Sequence, residues 1–402
     1  MNADSHKHLD LPLLSLPMLA LLIAQFLSAL GDNALLISAI ALVKSQGQAD
    51  WIPLLQEFFV IPYILLAPFV GPLSDSFPKG RVMFVANGFK LGGASLMALG
   101  FNPLVCYGLA GAGAAAYSPA KYGILTQFFG PEKLVKANGM LEGSTIVAIL
   151  LGVLAGGMLA DHSLQAAFTG VIGAYALAAG FNLLIPRLPP EHPLNHFNPG
   201  VLLKDFVAAL LALWRNGDTR FSLLGTSVFW GTGSTLRLLL FAWVPVALAI
   251  SDNQTPANLM GVVSVGIVVG AVLAGALVSL EKVNRALLGG LLLGPLVLAL
   301  SLVGNLPSTV LLLTAIGAAG GFFVVPLNAL LQERGHRSVG AGHALAVQNL
   351  WENLAMLIFV GAYFLAVRGG MAVNALLAIF GLVVLAGIAA LAVGRMRGTK
   401  QN

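Results

Sequence analysis

The chain has 402 residues, of which 58% are hydrophobic and only 9% charged, with a mean hydropathy of +0.89. A soluble globular domain carries about 25% charge, so a soluble enzyme or binding module is excluded and a polytopic membrane protein is indicated. The net charge of +5 is read as membrane topology and not as a nucleic-acid surface. A polar tail, Met1–Asp10, precedes an apolar run too long for a signal-peptide core, so the first helix is expected to be retained. The single cysteine, Cys106, allows no intrachain disulfide.

Apolar stretches of about 20 residues, enough to span a bilayer, occur in chain order near 16–42, 53–74, 82–103, 104–127, 137–160 and 165–186. A second set lies near 221–249, 257–280, 286–304, 308–331, 342–367 and 371–394. The fold class expected is therefore all-α, with twelve transmembrane helices in two six-helix bundles, 1–186 and 221–402. Between them lies 187–220, and around its start stand Pro186, Pro189, Pro190, Pro193 and Pro199, which cannot continue a helix. Val201–Trp214 then has the pattern of an amphipathic helix on the membrane face. With both termini in the cytoplasm, sixteen of the 21 Lys and Arg fall on that side. Only Lys44 and Arg368 fall opposite, which is the orientation the positive-inside rule favours.

The halves look like repeats. At an offset of 204, Gly71 aligns with Gly275, Arg81 with Arg285, Gly113 with Gly317, and Val135, Ala137 and Leu141 with Val339, Ala341 and Leu345. Repeated bundles with substrate at the midplane are a transporter architecture.

Charges inside spans are costly and mark function. Asp32 lies deep in the first span, on one polar stripe with Gln25 and Ser28. Arg237 lies at matching depth in the equivalent seventh span, so the two are expected to flank a central cavity. Lys121, with Tyr117 one turn away, and the run Gln348, Asn349, Trp351, Glu352, Asn353 add polar groups to the fourth and eleventh spans. Glu142 lies nearer a span end, as a possible coupling group. Lys90, in the third span, is expected to snorkel. Arg237 and Lys121 suit a phosphate, whereas Asp32 and Glu352 suit an ammonium. Together they match a zwitterionic phosphate ester better than a sugar or a cationic drug. No HExxH, metal-ligand spacing, GxSxG elbow or P-loop occurs. Neither an enzyme nor a resident metal or cofactor is expected.

Two segments carry a family resemblance. Gly71, Asp75, Lys79 and Arg81, after the second span, resemble the cytoplasmic loop motif of the major facilitator superfamily. That resemblance implies that Asp75 caps or pairs with a neighbouring helix end and locks one state. Gly152, Gly156 and Gly157 resemble the superfamily's glycine-rich antiporter motif, with Val153 where the motif has proline; close helix packing, helped by Gly261, Gly266 and Gly270, is the preferred explanation. Longer blocks are similar to the bacterial lysophospholipid transporters. They include AQFLSALGDNALL (Ala24–Leu36), AAAYSPAKYGIL (Ala114–Leu125), KANGMLEGSTIVAILLG (Lys136–Gly152) and GGFFVVPLNALLQERG (Gly320–Gly335). The family pattern has a small residue at Trp351. The resemblance implies movement of lysophosphatidylethanolamine and related lysophospholipids across the Gram-negative inner membrane, toward a cytoplasmic acyltransferase partner. The alternatives are a proton-coupled drug or small-solute antiporter of the same superfamily and, outside it, a non-transporting scaffold acting through its linker.

Overall fold

The computed structural model describes residues 9–48, 51–190, 198–250 and 254–398. Most of the polar N-terminal tail with Lys7, part of the proline-rich linker with Pro193, and Lys400 lie outside the described residues. All regular structure among them is helical. In chain order the helices are α1 (Leu16–Ser45), α2 (Ile52–Leu65), α3 (Ala67–Ser76), α4 (Lys79–Ala98), α5 (Pro103–Phe128), α6 (Pro131–His162) and α7 (Leu164–Asn182). Then come α8 (Pro199–Arg215), α9 (Gly217–Ala247), α10 (Gln254–Leu277), α11 (Ala286–Leu300), α12 (Leu306–Ser338), α13 (Ala341–Arg368) and α14 (Val373–Gly398). A 3₁₀ turn, Leu280–Arg285, leads into α11.

The predicted second span is broken. α2 and α3 meet at Leu66 with a bend of 62°. Pro62 lies inside α2 and Pro68 opens α3, and each removes a backbone N–H from the ladder. Counting this bent pair once and setting aside α8, the remaining rods correspond to the twelve predicted stretches. Among the described residues, eight helices are each long and apolar enough to cross a membrane, and the bent pair makes a ninth. The three that fall short, α4, α5 and α9, are those carrying Lys90, Lys121 and Arg237.

Local signals set the helix ends. The tight α4–α5 connection turns at Gly100, whose φ of +88° suits glycine. Asn102 then caps α5, accepting the N–H groups of Leu104 and Val105 at 3.0 and 3.2 Å, with Pro103 at the first helical position. The linker helix α8 buries Leu202, Phe206, Ala209 and Leu213 along one face and exposes Val201, Leu203, Val207 and Leu211.

The chain forms two compact units. One takes the chain through Lys133, then Val147–Leu213 and Gln332–Leu350; the other takes Leu134–Ile146, Trp214–Leu331 and the chain from Trp351 onward. In the first, α1, α4, α5 and α7 pack closely around Leu35, Met97, Tyr107 and Tyr175. Small residues set the spacing, since a Cβ on Gly93 would lie 2.6 Å from the Cys106 carbonyl oxygen and one on Gly113 2.5 Å from that of Ala86. In the second, Trp243, Leu313, Phe323 and Leu377 centre the core. Gly266, Gly270 and Gly317 bring α10 against α12 there.

Candidate functional site

The first unit holds a charged centre built from α1, α4, α5 and α7. Ser28 and Asp32 are one turn apart on α1, and Asn87 and Lys90 one turn apart on α4, so each pair shares a helix face. The Lys90 ammonium donates to Asp32 Oδ2 at 2.8 Å and to Ser28 Oγ at 2.9 Å. Ser28 Oγ donates to Asn87 Oδ1 at 2.7 Å, and Tyr175 Oη donates to Asp32 Oδ1 at 2.9 Å. The ammonium also lies 5.0 Å from the Tyr117 ring centroid and 5.8 Å from that of Tyr175, within cation–π range. Two glycines permit this arrangement. A Cβ on Gly31 would stand 2.7 Å from the Tyr175 ring, and one on Gly113 would stand 2.8 Å from Lys90 Cγ.

Lys90 therefore does not snorkel. Its side chain is 2% exposed, while that of its partner Asp32 is 21% exposed. A lysine ammonium loses too much hydration on burial to stay unpaired; here a carboxylate, a hydroxyl and two aromatic faces replace the water. Asp32, expected to stand open for a substrate ammonium, spends one oxygen on Lys90 and the other on Tyr175. Sequence reasoning missed Lys90, Tyr175 and Asn87 as members of this centre. The only signal was the charge of Lys90 itself at span depth.

Of the other expected residues, Gln25 is buried on the Asp32 face of α1 and Tyr117 is buried on α5. Lys121 is half-buried with its ammonium 4.5 Å from the Tyr122 ring centroid. Gln348 is buried on α13, and its neighbour Asn349 accepts a hydrogen bond from Ser118 Oγ at 3.3 Å. In the second unit, Arg237 is exposed on α9 and has no ion pair among the described residues. Glu352 and Asn353 are buried. The neighbouring Trp351 is stacked on Trp214, ring centroids 5.0 Å apart and planes 7° from parallel. Glu142 is buried on α6 and accepts from Asn328 Nδ2 at 3.2 Å.

Asp75 and Lys79 form a second buried centre in the first unit. Asp75 Oδ1 accepts the Gly342 N–H at 2.8 Å, and Oδ2 lies 3.3 Å from the His343 backbone nitrogen and 3.2 Å from its ring Nδ1. Lys79 Nζ completes the ring at 3.0 Å from Oδ1. Since α13 opens at Ala341, Asp75 caps its first turn, where N–H groups lack helical acceptors and a negative charge is favoured. Gly71 and Gly342 make the approach possible: a Cβ on Gly342 would lie 2.5 Å from the Gly71 carbonyl oxygen and 2.7 Å from Asp75 Oδ1. Arg81 stays exposed on α4. In the second-half counterpart no acid occupies the Asp75 position, and Arg285 instead donates to the Leu277 carbonyl at 3.2 Å.

The glycine-rich stretch of α6 is a packing face. A Cβ on Gly152 would lie 2.5 Å from the Leu30 carbonyl oxygen, and one on Gly156 2.8 Å from Ala34 Cα, so α6 rides on α1. Val153 is exposed. The expected help from Gly266 and Gly270 goes elsewhere, to α12: their neighbours are Thr314 and Ala318.

Residues 21–360 match the model of the Major Facilitator Superfamily. The chain is 57% identical over 360 residues to a relative named Lysophospholipid transporter LplT from Serratia proteamaculans, covering 89% of this chain and 90% of the relative. To the Citrobacter koseri protein of the same name it is 55% identical over 391 residues, covering 97% and 98%. The chain belongs to the lysophospholipid transporter family of the major facilitator superfamily. Among solved structures it is similar to the human organic anion transporter MFSD10, with a TM-score of 0.74 at 18% identity, over 93% of this chain and 99% of that one. It is also similar to the Escherichia coli fucose:proton symporter FucP, with a TM-score of 0.69 at 16% identity, over 94% and 98%. At such identities the likeness establishes the fold alone. The all-helical, multi-pass transporter architecture read from the sequence is thus borne out, and the chain is a transporter rather than an enzyme.

Proposed function

We propose that this transporter moves lysophospholipids, lysophosphatidylethanolamine and its relatives, across the bacterial inner membrane to the cytoplasmic leaflet by alternating access. Both termini lie in the cytoplasm, and a cytoplasmic acyltransferase restores the second chain there. The two six-helix bundles, 1–186 and 221–402, act as the moving domains, with 187–220 as their tether. The observation that carries this reading is the 55–57% identity to relatives named for lysophospholipid transport, over as much as 97% of the chain.

The residues supply the chemistry. Arg237, an exposed planar fork without an ion pair among the described residues, is the phosphate contact. Lys121 adds a second positive charge. The ammonium of the head group meets a carboxylate edge already balanced by Lys90, so Asp32 and Lys90 act as one dipolar unit rather than as an isolated acid. Glu352, Gln348, Gln25 and Tyr117 supply further polar lining. Asp75, with Gly71, Lys79 and Arg81, is the latch whose release accompanies the change of state. Glu142 is held in reserve as a coupling group.

The test is lysolipid flipping in proteoliposomes by Arg237→Ala and Lys121→Ala variants that retain their thermal unfolding. Flipping should be lost in Arg237→Ala and reduced in Lys121→Ala. Normal flipping by the double variant refutes the phosphate assignment. Transport that collapses with a protonophore and ignores competing lysolipid favours the drug or small-solute antiporter instead.

A further inference from the structure

The second unit contains a groove that the transport reading does not use. It lies between the opening turns of α9 and the last turns of α14 and encloses about 860 Å³, in the size range of ligand sites. Its two ends differ in chemistry. At one end stand Asn216, Asp218, Arg220 and Arg395; the shaft beyond is made by Leu224, Val228 and Leu391, with Gly387 and Ala390 on the facing helix. From Arg220 to Val228 the shaft runs about 12 Å along α9.

The charges at the mouth are unequal. Arg395 pairs with Asp218, donates from Nε to Asn284 Oδ1 at 2.9 Å, and lies over the Phe221 ring at 5.2 Å. Asp218 is therefore neutralised and Arg395 is fixed in place. Arg220 is exposed and has no ion pair among the described residues, which leaves one positive charge in excess at the rim. The shaft is open on the α14 side: a Cβ on Gly387 or Gly394 would meet nothing within 4 Å.

We propose that this groove binds an anionic phospholipid as a regulatory or structural ligand, with the phosphate on Arg220 and an acyl chain along Val228, Gly387 and Ala390. A guanidinium fork suits a phosphate, and an apolar channel about two helical turns long suits the first carbons of an acyl chain. Anionic lipid near the membrane surface is attracted to such basic rims. The occupant is a resident two-chain lipid and not the transported lysolipid, because the groove lies at the ends of α9 and α14, whereas Arg237 is 17 residues further along α9.

The experiment uses the full-length protein purified in detergent and offered equal amounts of dioleoyl phosphatidylglycerol and dioleoyl phosphatidylcholine. Retained lipid is counted by native mass spectrometry. Phosphatidylglycerol should be preferred about tenfold, because both lipids offer the phosphate to Arg220 but the quaternary ammonium of phosphatidylcholine cancels the head group's net charge and weakens that contact. Arg220→Gln should abolish the preference while leaving lysolipid flipping intact. Ala390→Trp and Gly387→Leu, which fill the shaft, should reduce retention of both lipids. Free glycerol phosphate should fail to compete. Equal retention of the two lipids by the unaltered protein overturns the proposal, as does an unchanged preference in Arg220→Gln. Displacement by glycerol phosphate alone overturns it in favour of a simple anion site, and displacement by lysophosphatidylethanolamine in favour of a second substrate site.

Discussion

Removing the Lys90 ammonium while keeping its bulk tests the charged centre most directly. Lys90→Met leaves the Asp32 carboxylate with Tyr175 as a neutral donor at 2.9 Å and no counter-charge on Oδ2. Breaking a buried ion pair by deleting one partner costs about 3–5 kcal/mol. The Asp32 side chain is 21% exposed, so solvent recovers part of that and about 3 kcal/mol is expected. Asp32→Asn should cost a similar amount, because it strands an ammonium that is 2% exposed. The double variant, Asp32→Asn with Lys90→Met, leaves no charge unpaired, so its loss should be well below the sum. A coupling energy of about 2 kcal/mol or more is anticipated for groups in direct contact. The assay is a double-mutant cycle on unfolding in detergent, run beside lysolipid flipping. If the cycle closes additively within about 0.5 kcal/mol, the pair does not exist as described. The flipping arm separates two roles: recovery in the double variant means that Asp32 serves only to hold Lys90, and continued loss means that Asp32 also meets the substrate.

Three further outcomes are expected. Asp75→Ala should remove the α13 cap and strand the buried Lys79, costing about 3 kcal/mol in thermal unfolding; Gly342→Val should mimic much of it, because its Cβ would collide with the Gly71 carbonyl and Asp75. If Gly342→Val unfolds at the temperature of the unaltered protein, the close approach is wrong. Gly152→Leu should force α6 off α1 and yield little folded protein, while Gly157→Leu, where an added Cβ meets nothing within 4 Å, should be recovered at normal levels. Equal recovery of the two would remove the packing explanation of the glycine-rich stretch. Trp351→Ala should cost about 1 kcal/mol beyond its lost burial through the Trp214 stack and shift tryptophan fluorescence. It should keep lysolipid flipping, since its indole is stacked on Trp214 and carries no charge for a head group.

The spans were legible in the sequence because a bilayer demands about 20 apolar residues, a requirement on composition and length alone. The exceptions were legible too, since an unneutralised charge at depth is conspicuous whatever it touches; Asp32, Lys121, Arg237 and Glu352 stood out on that ground. The break at Leu66 has its signal in Pro62 and Pro68, which hydropathy does not register because it runs on unbroken across them. Which way each helix turns its charge was a different matter. In a soluble helix the polar stripe marks the outward face, but a membrane helix is apolar toward lipid and toward protein alike, so its periodicity carries little directional information. Lys90 on α4 gave the same signal whether it snorkelled or turned inward to Asp32, 58 residues away in sequence. The capping of α13 by Asp75 spans 267 residues and needs Gly71 and Gly342 face to face. Sequence alone thus determined the all-helical membrane class and where charges fall within apolar stretches. The pairing of those charges was decided only when helices packed, because burial leaves an ammonium or a carboxylate no alternative to the nearest complementary group that the fold supplies.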